Sequence, residues 1–166
     1  MRRSIAILTA ALCLSACNSE TSETAEAEDL DTSSYTIDEK SGETTATITT
    51  EDGVATMRSG ESVPVDLPEG FSLFPGAQVN NNTTFSLDDS RGAMIMFQSD
   101  AEPQAIADFY RKQAEAARIE IEVELSINGG KTLGGESESG RTFTLNASRE
   151  GETTSAQLMV GEKLGR

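Results

Sequence analysis

The sequence predicts an α+β fold: an antiparallel-rich sheet with one amphipathic helix (about 100–117) packed across one face, preceded by a β-meander and a disordered linker. Three observations carry this expectation. Residues 119–127 alternate apolar and polar without a break, the period of a strand with one apolar and one acidic face. Ile106, Phe109, Tyr110, Ala114 and Ala117 recur at helical spacing, with Asp108, Arg111, Lys112, Glu115 and Arg118 on the opposite side. Turn signals then cut the remainder into short alternating runs: Lys40-Ser41-Gly42-Glu43, Glu51-Asp52-Gly53, Arg58-Ser59-Gly60, Asp88-Asp89-Ser90-Arg91-Gly92, Asn128-Gly129-Gly130 and Arg149-Glu150-Gly151-Glu152.

In chain order, Met1-Arg2-Arg3 supplies a positive start, and Ile5 to Leu14 an apolar run broken only by Thr9. A spanning helix needs about 20 apolar residues, so this run is too short to cross a bilayer permanently. The paired arginines and missing helix caps also argue against a buried core helix. The run ends in Leu14-Ser15-Ala16-Cys17. This pattern resembles the signal peptide and lipobox of a bacterial lipoprotein precursor. The resemblance implies residues 1–16 as signal peptide, cleavage between Ala16 and Cys17, and lipidation of Cys17. An ordinary signal peptide with Cys17 incidental is the competing reading.

Cys13 and Cys17 are the only cysteines and there is no histidine. A chain cut at Cys17 therefore has no disulfide, and no thiolate–imidazole metal site or histidine-based triad is open to it. The full chain has a net charge of −15. Losing Arg2 and Arg3 from its 13 Lys and Arg leaves 11 against 28 acids, a net of −17. Such a chain is a poor partner for nucleic acid or anionic headgroups.

Residues 17–34 form the lipidated N-terminus and an acidic linker, with Leu30 the one large apolar residue. Burial there cannot offset the entropy of ordering. Residues 35–62 are expected as a β-meander subdomain with strands near 35–39, 43–50 and 54–58, and residues 63–166 as the α+β domain. Val63 to Ala77 holds three prolines and two glycines, which forbid a helix or a central strand. Pro75-Gly76 suits the middle of a type II turn, and Phe71, Leu73 and Phe74 are expected to plug an edge of the core. Ala93, Ile95 and Phe97 fall on one face of the next strand and Met94 and Met96 on the other. Apolar residues on both faces mark the middle of a sheet. Ser99 or Asp100 is the expected N-cap of the helix, with Pro103 early in it. Lys131–Gly135, Arg141–Ser148 and the run through Ala156, Leu158 and Val160 complete the strands.

The run Leu67 to Ala77, Asp108-Phe109-Tyr110 and Gln113 to Ala117 is similar to small uncharacterised envelope lipoprotein modules. The likeness covers about 63–161 and marks packing rather than chemistry, so it implies no catalytic residue.

No catalytic constellation, cofactor or metal site is expected; Glu120, Glu122 and Glu124 come nearest to a metal site. Three carboxylates on one strand face could offer oxygen ligands to a divalent cation, but strand neighbours about 6–7 Å apart point in parallel rather than converging. Lys131 or Arg141 would pair with them equally well. Asn82-Thr83-Thr84 and Asn146-Ala147-Ser148 match the glycosylation sequon, a chance match under the lipoprotein reading. The expected role is a membrane-anchored envelope lipoprotein with a non-catalytic binding or spacer function. Its partners would be the lipid bilayer through acylated Cys17 and another envelope protein. Asn18, rather than Asp, after the cysteine favours the outer membrane, facing the periplasm, under the sorting rule of that family. The alternative is a small carboxylate-based hydrolase or a divalent-cation-binding accessory protein.

Overall fold

The computed structural model describes residues 33–50 and 53–163. The expected signal peptide, Cys17 and the linker up to residue 32 lie outside them. The elements run β1 (Ser33–Ile37), β2 (Thr44–Thr50), β3 (Gly53–Gly60), β4 (Gln78–Leu87), β5 (Ser90–Ser99), α1 (Pro103–Ala116), β6 (Glu120–Ile127), β7 (Gly130–Glu136), β8 (Arg141–Glu150) and β9 (Thr153–Glu162). All nine strands form one antiparallel sheet in the order β1-β2-β3-β4-β5-β9-β8-β7-β6. The meander strands fall close to the expected ranges, and β3 pairs with β4, so they continue into the same sheet as the rest. Arg58-Ser59-Gly60 is strand rather than turn.

The chain goes up the sheet as five meandering strands and crosses by α1 to the far edge. Four more strands bring it back to pair β9 with β5. The expectation for Ala93–Gln98 holds in position, since β5 is the fifth of nine. Two-residue turns at Asp88-Asp89 and Asn128-Gly129 tighten two of the hairpins. Asp88, Asn128 and Gly129 all take positive φ, which Asn, Asp and Gly tolerate best. At the β1–β2 turn, Asp38 accepts the N–H groups of Ser41 and Lys40, which holds its carboxyl below the usual range.

The helix packs against β6, β7 and β8. It starts later than expected. Glu102 is the N-cap and makes no side-chain cap bond, with Pro103 opening the helix. The proline needs no N–H partner at that position, and Ser99 instead accepts the N–H of Ala101. The helix ends in a Schellman motif: Ile119 N–H reaches Ala114 O at 2.9 Å and Arg118 N–H reaches Glu115 O at 3.0 Å. Arg118, with φ 61°, occupies the left-handed position that glycine usually fills. The buried helical stripe is Ile106, Ala107, Tyr110 and Ala114. It meets Ile95, Phe97, Leu133, Phe143, Leu145, Leu158 and Val160 in one core.

Residues 63–77 cover the sheet beside the helix. Phe71 stacks on Phe143 with ring centroids 5.7 Å apart, and Phe74 meets Phe109 edge-on at 5.2 Å. Ala77 N–H donates to Phe74 O across Pro75-Gly76, and Gly76 has φ 75°, the predicted type II turn. Tyr110 ties the loop to the helix: its hydroxyl, fully buried, accepts the N–H of Phe74 at 3.0 Å. Gln113 adds a second tie, accepting Ser72 N–H and donating to Ser72 Oγ.

Burial pushes the Tyr110 phenol up to about 12, against the smaller opposing effect of the Phe74 hydrogen bond. A phenol with a folded value above its unfolded one stabilises fully below pH 10, and that contribution is lost as pH rises through the folded value. Chemical denaturation of the native chain should therefore lose on the order of 2–3 kcal/mol between about pH 10 and 12 through this residue. Tyr110→Phe should remove that slope while costing about 1 kcal/mol at neutral pH for the orphaned Phe74 N–H. Arg118→Gly should raise stability by about 0.5–1 kcal/mol by freeing the left-handed position.

Candidate binding surface

Residues opposite one another in paired strands share a face, so the register divides every strand. The helix-side face carries Ala93, Ile95 and Phe97 of β5, Leu158 and Val160 of β9, Phe143 and Leu145 of β8 and Leu133 of β7. These are the core.

The opposite face runs across all nine strands. One row reads Leu125–Thr132–Asn146–Gln157–Met96–Asn81, and the next Val123–Gly134–Thr144–Met159–Met94–Thr83–Ser59–Thr44–Ile37. Beyond them Phe85, Met57, Ala46 and Tyr35 stand side by side. Of the twelve large hydrophobic residues that are exposed, ten lie here: Tyr35, Ile37, Ile48, Met57, Leu87, Met96, Val123, Leu125, Ile127 and Met159. Leu125 is 51 % exposed, Ile127 66 % and Met96 47 %. Expectation and structure part at β5. Met94 and Met96 lie on a second apolar face, as a central strand should have, but among the described residues no layer covers it.

The charges divide the same way. Every Lys and Arg within the described strands (Arg58, Arg91, Lys131, Arg141 and Arg149) falls on the helix side by register. There Arg91 and Arg141 flank Glu162 at 2.9 and 3.0 Å, and Arg149 reaches Glu102 and the carbonyls of Asp100 and Ala101. On the open face the charged strand residues by register are Glu120, Glu136 and Glu150, at the ends of β6, β7 and β8. Lys163, just past β9, stands at the rim and pairs with Asp89 at 3.2 Å.

Glu120, Glu122 and Glu124 do not share a face, contrary to the sequence expectation. A bulge between Ile121 and Val123 shifts the register. Glu120 stands opposite Glu136 on the open side, Glu122 sits in the bulge, and Glu124 stands opposite Leu133 on the helix side. There it pairs with Arg111 of the helix rather than with Lys131 or Arg141. Among the described residues no group of three His, Cys, Asp or Glu is placed to hold a metal ion. The same bulge corrects the expected one-sided strand. Ile121 keeps to the core, whereas Val123, Leu125 and Ile127 turn to the open face. The signal that could have shown this is Gly134-Gly135 on the facing strand. A Cβ at Gly135 would collide with the Glu120 carbonyl, so only glycine lets the two backbones close up. At the other side of the face the Phe85 ring lies over Gly92 and occupies the space a Cβ would need.

Among the described residues, one concavity of about 570 Å³ lies at the end of the helix beside Arg118, Glu120, Glu136 and Arg141. Another of about 390 Å³ lies on the open face around Met96, Leu125, Ile127 and Gln157. Two more bear on this architecture. One of about 430 Å³ lies on the open face, lined by Ala46, Ile48, Ala55, Met57, Phe85 and Leu87 among others. The other, about 350 Å³, lies beside the 63–77 loop with Arg58, Asp66, Thr84 and Arg91 around it. Its arginines are already engaged by Glu43 and Glu162. Between helix and sheet the space is filled by Phe97, Ile106, Tyr110, Phe143 and Leu145, all essentially inaccessible.

A family model described as START domain-like matches residues 78–156, from the start of β4 into β9. The chain is similar to that family over somewhat less than half its length, and β1 to β3 and the 63–77 loop lie outside the match. A helix lying across an open antiparallel sheet is consistent with such an α+β fold. No curated protein and no solved structure matches the chain. Cys17 and Ala16 lie outside the described residues, and no helix among those described is long and apolar enough to cross a membrane.

Gly135→Ala should destabilise the protein by about 1–3 kcal/mol, the usual cost of forcing atoms into a filled space, as read by urea denaturation. Calcium should leave the thermal midpoint unchanged, and replacing Glu120, Glu122 and Glu124 together by Gln should not alter that result.

Proposed function

We propose that the chain is a membrane-anchored envelope lipoprotein that works by binding rather than catalysis, and that the open sheet face is its working surface. The observation that carries the reading is the concentration of exposed apolar side chains on a face whose strand positions, among the described residues, hold no Lys or Arg. Soluble monomers rarely expose contiguous apolar surface beyond a few hundred Å², and larger patches mark interaction sites. Evenly scattered hydrophobics would need no such account. The likeness to START domain-like proteins is compatible with a ligand-binding module.

In this reading Cys17 is acylated and holds the protein to the bilayer. Two or more acyl chains anchor stably where one binds marginally, at ~0.8 kcal/mol per buried CH₂. The residues between Cys17 and Ser33 are a spacer. The sixteen steps from Cys17 to Ser33 span at most about 55 Å when extended, and a run of like charges favours extension. Asn18 directs the protein to the outer membrane, and the folded module stands in the periplasm.

Metabolic labelling with a fatty-acid probe tests the anchor. The native chain should take up label and sediment with membranes, and Cys17→Ser should do neither. Label retained by Cys17→Ser, or unchanged membrane partition, would refute the tether.

A further inference from the structure

We infer that the open face is the docking surface for a second copy of this chain, the two sheets packing face to face about a two-fold axis. This rests on the open face being the working surface, and it names the occupant.

Charge is the first reason. With a net charge of −15, two copies repel over most of their surfaces. They meet at lowest cost across the one broad surface that is almost free of charge. The same charge and the absence of Lys and Arg from the open-face strand positions disfavour an anionic bilayer surface, which recruits basic residues. The chain also has no Trp, the residue that with Tyr typically anchors proteins at the lipid interface.

Size is the second. Nine strands at about 4.8 Å spacing make a face roughly 40 Å across, and strands of this length give it about 25 Å in the other direction. A stable pair of proteins needs about 800 Å² from each partner, which such a face can supply.

Self-complementarity is the third. Sheets in sandwiches pack about 10 Å apart with strands nearly aligned. A two-fold axis along β5, the middle strand, places each copy's β6 edge over the β1 edge of the other. By register, Val123 then faces Ile37 of the second copy, and Met94 and Met96 face themselves. Leu125 and Ile127 reach past the end of its β1, while Glu120 at the rim comes over Tyr35. Methionine adapts its shape to such a junction. Several of the polar residues between these clusters are bonded laterally within the face. Ser59 and Thr83 hydroxyls are 2.8 Å apart, Thr132 donates to Asn146 at 2.9 Å, and Gln157 reaches the Met94 sulfur at 3.0 Å. Covering them therefore leaves fewer unsatisfied groups than an ordinary polar surface would.

Sedimentation velocity of the full chain across the micromolar range tests this, comparing the native protein with Met96→Lys/Met159→Lys. Both positions are substantially exposed, so the variant should fold, as checked by far-ultraviolet circular dichroism and its thermal midpoint. The added lysines lower the net negative charge, so they relieve general repulsion while placing charge inside the face. The native chain should sediment as a dimer and the folded variant as a monomer. A native chain that stays monomeric, or a variant that still dimerises, overturns the proposal. Flotation with phosphatidylcholine vesicles separates the two layers of the reading. A monomeric native chain whose folded part floats, and ceases to float in the variant, removes the dimer and leaves the open face as a binding surface. A monomer that does not float removes the dimer and removes a neutral lipid surface as the occupant of this face.

Discussion

A helix of fourteen residues is about 21 Å long and 10 Å wide, whereas nine hydrogen-bonded strands make a layer roughly 40 Å across. One helix therefore cannot cover even one face of this sheet, and the rest of the architecture answers that shortfall. On the helix side the proline-rich segment 63–77 takes over where α1 stops, seating Phe71 and Phe74 on Phe143 and Phe109. Tyr110 joins the two covers through the Phe74 N–H, which is why a single phenol has such leverage on the layer. On the other side the described chain has no third layer to offer.

The two faces are chemically distinct surfaces and not a covered face with a solvated back. The usual antiparallel arrangement puts apolar side chains inward and charges outward. Here the strand arginines and Lys131 lie around the rim of the helix side, ion-paired with Glu43, Glu162 and Glu102 or bonded to Ser126. Methionine, leucine, isoleucine and laterally bonded Thr, Asn and Gln fill the open side. Exposed ion pairs of this kind add about 0–1 kcal/mol each, so placing them on the helix side does little for stability. What it achieves, in a strongly acidic chain, is an open face whose only charged strand residues among those described are Glu120, Glu136 and Glu150 at the strand ends.

Much of the fold was legible in the sequence, because its determinants are local. The helical stripe around Ile106 and Tyr110, the Asn128-Gly129 hairpin, the Pro75-Gly76 turn and the central position of β5 each follow from a few adjacent residues. What was not legible depends on a partner strand or on competition between neighbours. The 119–127 alternation reads as one acidic face, but Gly135 on the facing strand admits a bulge that reverses the pattern midway. The helix start moves from Ser99 or Asp100 to Glu102 because Pro103 fits best as the first helical residue. Its end carries no glycine to announce it, Arg118 taking the left-handed position instead. The candidate surface was half legible. Met94 and Met96 gave notice of a second apolar face, but an alternating pattern alone cannot say whether a layer covers it. The lipobox stays a property of residues 14–17, read from sequence alone.

All four methionines within the described residues (Met57, Met94, Met96 and Met159) lie on the open face by register, and oxidation to the sulfoxide reports how accessible each is. The central claim is that this face is covered when the protein is at work. Peroxide footprinting read by mass spectrometry, in intact cells and on dilute purified chain, measures that directly. The account predicts that Met57, Met96 and Met159 are oxidised readily in the dilute chain and several-fold less in cells, at equal peroxide exposure calibrated on an unstructured reporter peptide. Equal oxidation in both settings would contradict it.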